Sequence, residues 1–404
     1  MHDLLFLSHR IPYPPEKGEK IRAWHMFERL AQTHRMHLGC FIDDPADWAH
    51  LPFLRARCAD VACFGLHRQW QKLKALARLR PGKPLSLGYF HDRRLQRWVR
   101  EKLAGGIDRA FVYCSAMAPY VMHADGVQCV LDMVDVDSEK WAEYAARSRP
   151  PAGWVWGREA RTLLGFERRA ALAFDRALFV SQAECRRFAA LAPETAGRIG
   201  WLDNGVDLAR FSPGFAAGRI FPPGGPDLVF TGTMDYWPNV DAVGWFARAV
   251  LPALLPSWPG LRFWIVGANP AAEVTGLADV PGVRVTGRVA DTRPYIAQAD
   301  VVVAPLRIAR GIQNKVLEAM AMGRPVVASP QAFEGVHAAA GRDLLVADGA
   351  AATASRIAEV LQGRHPGLGA AGRQAVERGH AWAATLAGLD ALMEDAPMHD
   401  GDKR

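Results

Sequence analysis

The sequence has no long hydrophobic run. In its 404 residues, no stretch approaches the roughly 18 consecutive apolar residues that a membrane-spanning helix requires. The apolar run at residues 4–7 is too short for the core of a secretory signal peptide. We therefore expect a cytoplasmic protein, either free or held peripherally on the inner face of the plasma membrane.

Cysteine motifs are missing as well. The six cysteines are scattered along the chain, and none of them forms a Cys-x-x-Cys pair. Such spacing is typical of reduced thiols and not of a disulfide framework. Half of the residues are hydrophobic and 23% are charged, a composition that excludes disordered and collagen-like chains. A chain of this length buries a core large enough to fold without disulfides or a structural metal.

Acidic residues are scarce in one segment. Residues 66–102 hold eleven Lys or Arg and two acidic residues, a net charge of +9, whereas the whole chain carries +7. Apolar and aromatic residues are interleaved with these cations, which predicts two basic amphipathic helices with a break at 81–84. One interpretation is an anionic membrane surface as a partner. The other is a solvated face whose long side chains cover the core. No nucleic-acid fold motif accompanies the segment, so we expect no nucleic acid as a partner.

Strand-like and helical segments alternate along the whole chain. The first half has strand-like runs at 4–8, 36–42, 61–64, 109–114, 129–132 and 177–180, with a helix at 19–33. After a segment rich in Pro and Gly, strand-like runs resume at 228–231, 262–266, 283–286, 301–304 and 325–328, with helices starting at 239, 292 and 314. This alternation predicts an α/β fold built on parallel sheets.

The segment rich in Pro and Gly, at 211–227, predicts a boundary between two domains. We place a Rossmann-like domain at 1–205 and a second one at 206–369. We expect a C-terminal helix at about 370–393 to pack back on the first domain. Because ligands bind at the carboxyl ends of the strands in such sheets, two facing sheets predict a binding cleft between the domains.

The second half contains the most informative stretch, DVVVAPLRIARGIQNKVLEAMAMGRPVVAS, which is predicted as strand, loop, helix and strand. Gly311 lies in the loop and Asn314 at the helix start, where unpaired amides and the helix dipole favour an anion. Arg310 and Lys315 add two cations, which suits a diphosphate. Glu318 follows one turn later and could accept hydrogen bonds from ribose hydroxyls. Spacing alone leaves open a simple surface pair of Lys315 and Glu318.

Several segments of the second half resemble glycosyltransferase family 4, retaining enzymes of the GT-B architecture. LEAMAMGRPVVAS resembles the end of the family's donor-binding pattern, with Glu318 as the second of two glutamates. LDNGVDLARFSP, FTGTMDYWPN, FWIVGANP and VRVTGRVADTRPYIAQADVVVAPL resemble further segments, and the match is strongest at 200–350. GIQNKVLEAMA, SHRIPYPPEKGEKIR and LDMVDVDSEKW also resemble a narrower branch, the sugar transferases associated with exopolysaccharide loci of exosortase (PEP-CTERM) systems.

The resemblance implies two Rossmann-like domains facing across a cleft, with a nucleotide-diphosphate sugar as co-substrate and no metal or other cofactor. Spacing and resemblance together assign the donor-binding residues as Gly18, Gly232, Thr233, Arg288, Gly311, Ile312, Gln313, Asn314, Lys315, Val316 and Glu318. Arg310 stands where the family usually has its first glutamate, and the glycine loop lacks the Arg and Lys of many members. We interpret Arg310 and Lys315 as the catalytic cations that take over the grip on the diphosphate.

The first half offers further candidates. Gly18 permits a close backbone approach before a helix N-terminus. Arg22 and Ser115 are candidate acceptor contacts. Asp135 lies in LDMVDVDSEKW, near the place where many family members have a His-Asp pair, and we assign it as a catalytic contact to the sugar or the acceptor. The three carboxylates of this run could also hold a metal, but the resemblance implies none.

Our main hypothesis is a retaining glycosyltransferase of the hexosyltransferase type. It would move a sugar from a nucleotide-diphosphate donor to a hydroxyl of a glycan or polyprenyl-linked acceptor, in exopolysaccharide or lipid-linked glycan synthesis. Two alternatives stay open: a nucleotide-sugar epimerase of the same fold, and a sugar-nucleotide-binding relative without catalysis. The sequence does not disclose the base, the sugar or the acceptor.

Overall fold

Runs of buried apolar residues form the central strands of two parallel sheets. In a computed structural model, which describes residues 2–16, 18–66, 82–216, 218–309 and 311–394, the chain divides into two units. The first unit comprises Met1–Asp203 and Leu386–Arg404, and the second comprises Asn204–Thr385.

The first unit is built on a seven-stranded sheet with the order β3-β2-β1-β4-β5-β6-β7, and all neighbouring strands are parallel. Its strands are β1 (His2–Ser8), β2 (His34–Ile42), β3 (Asp60–Gly65), β4 (Arg109–Tyr113), β5 (Gln128–Val134), β6 (Arg176–Phe179) and β7 (Ile199–Trp201). Most side chains of the central strands are buried, as a parallel sheet covered on both faces requires.

The described helices of this unit connect its strands along the sequence. They are α1 (Gly18–Leu30), α2 (Leu51–Arg55), α3 (Leu85–Tyr89), α4 (Arg93–Ala104), α5 (Asp137–Arg147), α6 (Ala152–Ala173) and α7 (Gln182–Leu191). Helix α3 and most of α4 lie in the basic segment 66–102, whose residues 67–81 are outside the described part of the chain. The first of the two predicted basic helices therefore lies largely outside the described residues.

The second unit is also built on a parallel sheet, which has six strands in the order β10-β9-β8-β11-β12-β13. Its strands are β8 (Asp227–Thr231), β9 (Arg262–Val266), β10 (Val283–Gly287), β11 (Val301–Ala304), β12 (Val326–Ala328) and β13 (Leu345–Val346). Its helices are α8 (Trp237–Trp245), α9 (Leu251–Leu254), α10 (Ala272–Thr275), α11 (Arg293–Gln298), α12 (Asn314–Ala321), α13 (Pro330–Phe333), α14 (Ala350–Leu361), α15 (Leu368–Gly379) and α16 (Trp382–Thr385). The predicted α/β fold with two Rossmann-like sheets is confirmed.

Short helical turns of other types connect these elements. The 3-10 turns are Pro45–His50, Ser115–Tyr120, Pro193–Thr195 and Gly276–Asp279, and a π-helical turn at Phe246–Val250 joins α8 to α9.

The C-terminal segment is shared between the units. Helices α15 and α16 belong to the second unit, and α17 (Leu389–Glu394) belongs to the first. In α17, Leu389 and Met393 are fully buried, and Asp390 accepts a hydrogen bond from Arg29 of α1. The segment that we expected to belong as a whole to the first domain thus changes unit near residue 386.

Each sheet has one place where the strand order reverses. This switch point lies between β1 and β4 in the first sheet and between β8 and β11 in the second. In open α/β sheets, ligands bind outside the carboxyl ends of the strands at the switch point. We therefore expect binding residues at these two edges.

Candidate functional site

Two loops leave the carboxyl ends of β8 and β11 at the switch point of the second sheet. The loop after β8 contains Gly232 and Thr233 and leads into α8, and the loop after β11 leads into α12. The side chain of Lys315, on the first turn of α12, crosses to the β8 loop. A Cβ built on Gly232 would lie 3.4 Å from Lys315 Nζ. Two segments that are 80 residues apart in the sequence thus meet at one point.

The Lys315 ammonium is held by an amide and an aromatic ring. Its Nζ donates to Asn239 Oδ1 at 2.6 Å and lies 4.3 Å from the centroid of the Phe230 ring. Burial lowers the pKa of Lys315 to about 7, and the negative charge of Glu318 opposes this shift. A cation in this setting has lost hydration, so a bound anion would restore favourable contacts to it.

The β8 loop has no room for a larger residue at Gly232. A Cβ there would lie 2.7 Å from Asn239 Nδ2, which donates to the Thr233 carbonyl oxygen at 2.9 Å. The same Asn239 side chain therefore bonds the loop on one side and Lys315 on the other. This residue was not singled out by our sequence analysis, because an Asn that follows Pro at a helix start reads as a capping residue.

Helix α12 begins without a side-chain cap. Gln313 occupies the N-cap position, and its side chain accepts no hydrogen bond from the first turn. Gly311 has φ of 60°, a left-handed conformation that glycine adopts without strain and that turns the chain into the helix. The first backbone N–H groups of such a helix, together with its dipole, form an anion site. Asn314 Oδ1 accepts from Asn204 Nδ2 at 3.2 Å, which ties the helix start to a neighbouring segment.

A fully buried histidine supports that neighbouring segment. His380 Nδ1 donates to the carbonyl oxygen of Asn204 at 3.0 Å, and His380 Nε2 accepts from the backbone N–H of His337 at 2.9 Å. These two partners assign the neutral tautomer, and burial lowers the pKa of His380 to about 4. Next to Asn204, a Cβ on Gly205 would lie 2.6 Å from Trp382 Cδ2, so the segment packs directly on the chain after α15. Asn204 and His380 were also missed from the sequence, because their contacts are 110 and 176 residues away.

Glu318 lies one turn after Lys315 in α12. Burial raises the pKa of Glu318 to about 7, while the positive charges of Arg210 and Lys315 oppose this shift. The carboxyl group can therefore change its charge near neutral pH.

The other predicted donor-binding residues differ in how far they are buried. Val316 and Ile312 are buried in the hydrophobic core, so only their backbones could contact a donor. Arg288 is exposed just after β10, the edge strand of the sheet. Arg310 lies outside the described residues.

At the switch point of the first sheet, the predicted acceptor residues are buried. Arg22 is 1% exposed, and its guanidinium donates to Asp132 Oδ2 at 2.7 Å and to the Leu202 carbonyl oxygen at 2.7 Å. Ser115 is a buried residue that starts the 3-10 turn after β4. Gly18, which was predicted to bind the donor, is the exposed first residue of α1. Arg22 thus links α1, β5 and the end of β7.

Asp135 follows β5 at the same edge. Its Oδ1 is buried and has no hydrogen-bond partner among the residues that the structure describes. Burial, together with the neighbouring charges of Glu184 and Asp137, raises the pKa of Asp135 to about 7. An unsatisfied buried carboxyl oxygen is costly unless a ligand group bonds it. In the described part of the chain, no group of three His, Cys, Asp or Glu is placed to hold a metal ion.

Comparisons with known proteins agree with this architecture. Residues 225–363, from β8 to the end of α14, match the family model described as "Glycosyl transferases group 1". No curated protein sequence matches the chain. Within the described residues, no helix is both long and apolar enough to cross a membrane.

Three solved structures resemble nearly the whole chain. Sucrose-phosphate synthase from Thermosynechococcus elongatus has a TM-score of 0.67 at 18% identity, covering 98% of this chain and 99% of its own. HepE from Anabaena, in complex with UDP and glucose, has a TM-score of 0.66 at 15% identity, covering 98% and 100%. WaaG, a glycosyltransferase involved in lipopolysaccharide biosynthesis, has a TM-score of 0.66 at 14% identity, covering 96% and 99%. The fold of this chain is therefore that of the GT-B glycosyltransferases, as predicted.

Proposed function

We propose that this protein is a glycosyltransferase that moves a sugar from a nucleotide-diphosphate donor to an acceptor hydroxyl. The observation that carries the proposal is the position of Lys315. Its ammonium is held beside Gly232 at the switch point of the second sheet, on the first turn of an uncapped helix. A cation and the amides of a helix start at one point suit the diphosphate of a nucleotide.

The main catalytic effect in this proposal is stabilisation of the charge that develops on the leaving diphosphate. Lys315 and the amides at the start of α12 supply it, and Arg310 is proposed as the second cation. Preorganised charges of this kind need no rearrangement when the bond breaks. In this proposal, Lys315 binds the diphosphate, which many family members bind with cations in the glycine loop.

Glu318 is proposed to bind the ribose of the donor. Its ionised carboxylate accepts hydrogen bonds from two hydroxyls, and its distance of one helical turn from Lys315 suits the step from diphosphate to ribose. The HepE structure, solved with UDP and glucose, supports a nucleotide donor of this kind. Gly232, Thr233, Gln313 and Asn314 contribute backbone and polar contacts around the diphosphate, and Arg288 is a further donor contact.

The finer assignments follow from the sequence motifs. We assign the chain to glycosyltransferase family 4 and to its exosortase-associated branch, with retention of configuration and a hexose as the transferred sugar. The product is an exopolysaccharide or a lipid-linked glycan, and the similarity to WaaG, named for lipopolysaccharide biosynthesis, is consistent with a glycan product.

The first unit is proposed to bind the acceptor. The free Oδ1 of Asp135 would accept a hydrogen bond from an acceptor or sugar hydroxyl, which would satisfy a buried polar atom. Ser115 is a second contact at the same edge. Arg22 donates hydrogen bonds to Asp132 and to the Leu202 carbonyl oxygen. We therefore propose that it stabilises this edge of the sheet and does not contact the acceptor.

A panel of nucleoside diphosphates and their sugars tests the proposal. A nucleotide that binds the folded protein raises its melting temperature with the logarithm of its concentration. The nucleotide found in this way is then supplied as its sugar, with and without a polyprenyl-linked glycan. Transfer only in the presence of the acceptor supports a transferase. Scrambling of the sugar without an acceptor indicates an epimerase, and binding without turnover indicates an inactive relative.

We further propose that an anionic membrane surface is a partner of the basic segment 66–102. At the start of α6, Trp154 is 72% exposed and Val155 is 42% exposed. One turn later, Arg158 donates to the Lys83 carbonyl oxygen, which joins this apolar tip to the basic segment. An exposed indole beside cations is typical of membrane interfaces.

Sedimentation with phosphatidylglycerol vesicles tests this partner. At low salt we expect the protein to sediment with the vesicles and Trp154→Ser to sediment much less. Leu172→Ser, at the far end of the same helix, is the matched control and should behave like the wild type. Wild-type protein that stays in the supernatant contradicts the proposal.

A further inference from the structure

The side chain of Asn239 connects the β8 loop to Lys315 by hydrogen bonds. Asn239, the third residue of α8, is 5% exposed. Its Nδ2 donates to the Thr233 carbonyl oxygen at 2.9 Å, and its Oδ1 accepts from Lys315 Nζ at 2.6 Å. Both polar atoms of the amide are used, so the orientation of the side chain is determined by its partners.

The surroundings allow Asn239 little freedom. A Cβ on Gly232 would lie 2.7 Å from Asn239 Nδ2, so the loop backbone closes directly over the amide. The Phe230 ring lies under the ammonium at 4.3 Å. Among the described contacts of the ammonium, the hydrogen bond to Asn239 and the ring face of Phe230 hold it near the end of β8.

The acceptor that holds Lys315 carries no charge. Glu318 acts on Lys315 through its charge. A carboxylate at position 239 would hold the ammonium just as closely, but it would neutralise the charge and repel a diphosphate. An apolar residue would leave the long lysine side chain free to take other rotamers.

We infer that Asn239 is a positioning residue, which holds the Lys315 ammonium at the end of β8 and, being neutral, leaves its charge available to a phosphate group. This inference rests on the proposed diphosphate site and deepens it, since it explains how a lysine from α12 can act at the glycine loop after β8. Asn239 itself does not touch the reacting atoms.

A double-mutant cycle on UDP binding tests the inference. We expect Asn239→Ala to weaken the affinity measured by calorimetry about tenfold, as for one hydrogen bond to a charged group. In a Lys315→Ala background, the same substitution should change the affinity by less than about twofold, because additivity fails for residues that act through each other. Equal losses in both backgrounds would mean that Asn239 serves only the loop, and they would overturn the inference.

A second measurement needs no nucleotide. Reductive methylation with ¹³C-formaldehyde labels the lysines, and the signal of Lys315 is assigned by its absence in Lys315→Ala. Asn239→Asp should raise the pKa of Lys315 by one unit or more, because a carboxylate favours the charged form. Arg248→Ala, an exposed change in the π-helical turn that follows α8, is the control and should leave the titration unchanged. An unchanged pKa in Asn239→Asp overturns the inference.

These two tests can fail or succeed independently of the proposed function. If the wild type binds UDP but transfers no sugar, the transferase proposal fails and the cycle still decides the role of Asn239. If neither UDP nor inorganic diphosphate binds, the diphosphate site fails and the titration decides whether Asn239 holds Lys315. Thermal denaturation of each variant shows that the fold is retained.

Discussion

Lys315 and Glu318 carry opposite charges. Burial lowers the pKa of Lys315 to about 7, and it raises the pKa of Glu318 to about 7. Each group lies in a place where its charge is costly without a ligand. Perturbed groups beside a switch point are typical of functional sites and less so of surface ion pairs. Both side chains are half-buried and Lys315 bonds Asn239, so the surface-pair alternative that spacing left open is disfavoured.

Removal of the Lys315 ammonium should abolish most of the transfer activity. For Lys315→Ala we expect a loss of about 2.7–4 kcal/mol in transition-state stabilisation, the size found for other charge-stabilising donors. The measurement is kcat/KM with the nucleotide sugar identified by the binding panel. Arg356→Ala, a cation on the outer face of α14, is the control. Turnover of Lys315→Ala near that of the control would place the diphosphate elsewhere.

The pH dependence of kcat/KM should be bell-shaped with a maximum near pH 7. Binding of diphosphate needs the charged form of Lys315, which is lost as pH rises above its lowered pKa of about 7. Binding of ribose needs ionised Glu318, which is lost as pH falls below its raised pKa of about 7.

Glu318→Gln should remove the acid limb of this profile, because its amide oxygen accepts hydrogen bonds at every pH. The alkaline limb, which belongs to Lys315, should persist. An acid limb that survives in Glu318→Gln belongs to another group and removes Glu318 from this role.

At the level of the elements, close backbone contacts hold the β8 loop against the end of β9. Gly232 donates its N–H to the Val266 carbonyl oxygen at 3.1 Å. A Cβ on Gly267 would overlap the Gly232 carbonyl oxygen. The two strands can end side by side because position 267 carries no Cβ.

Gly267→Ala should therefore disturb both stability and the site. We expect a loss of about 1–3 kcal/mol of unfolding free energy, as for overpacked cores, together with weaker nucleotide binding because the loop beside Lys315 is displaced. Gly276→Ala is the matched control, since a Cβ there meets no atom within 4 Å. Chemical denaturation and calorimetry measure the two effects. If Gly267→Ala matches the control, the loop is not held by this contact.

The sequence predicted most elements because their signals are local. The predicted strand at 262–266 coincides with β9, and the one at 301–304 coincides with β11. The two edge strands β7 and β13 were missed, because they have three and two residues and no strand-like run of their own. They exist because a neighbouring strand offers them unpaired backbone groups.

At the scale of the whole molecule, the last described helix returns to the first unit. Leu389 is fully buried there, whereas Lys315 and Glu318, which we propose to bind the nucleotide, belong to the second unit. Leu389→Ala should cost about 2–5 kcal/mol through the cavity it leaves. We expect an earlier thermal transition with unchanged nucleotide affinity at 25 °C. Glu394→Ala, at the exposed end of α17, is the control, and a parallel loss of nucleotide affinity would contradict the assignment of α17 to the first unit.

The α/β class, most strand positions and the stretch around Glu318 could be predicted from the order of the residues, because hydrophobic periodicity and helix-start residues act over a few positions. Which strands end at the switch points, and which side chains meet there, depends on how the chain folds. The fold joins Lys315 to Asn239 and Asn314 to Asn204, and it buries Arg22 against Asp132. These contacts span 76 to 110 residues, and they exist because parallel sheets bring the carboxyl ends of distant strands to one edge.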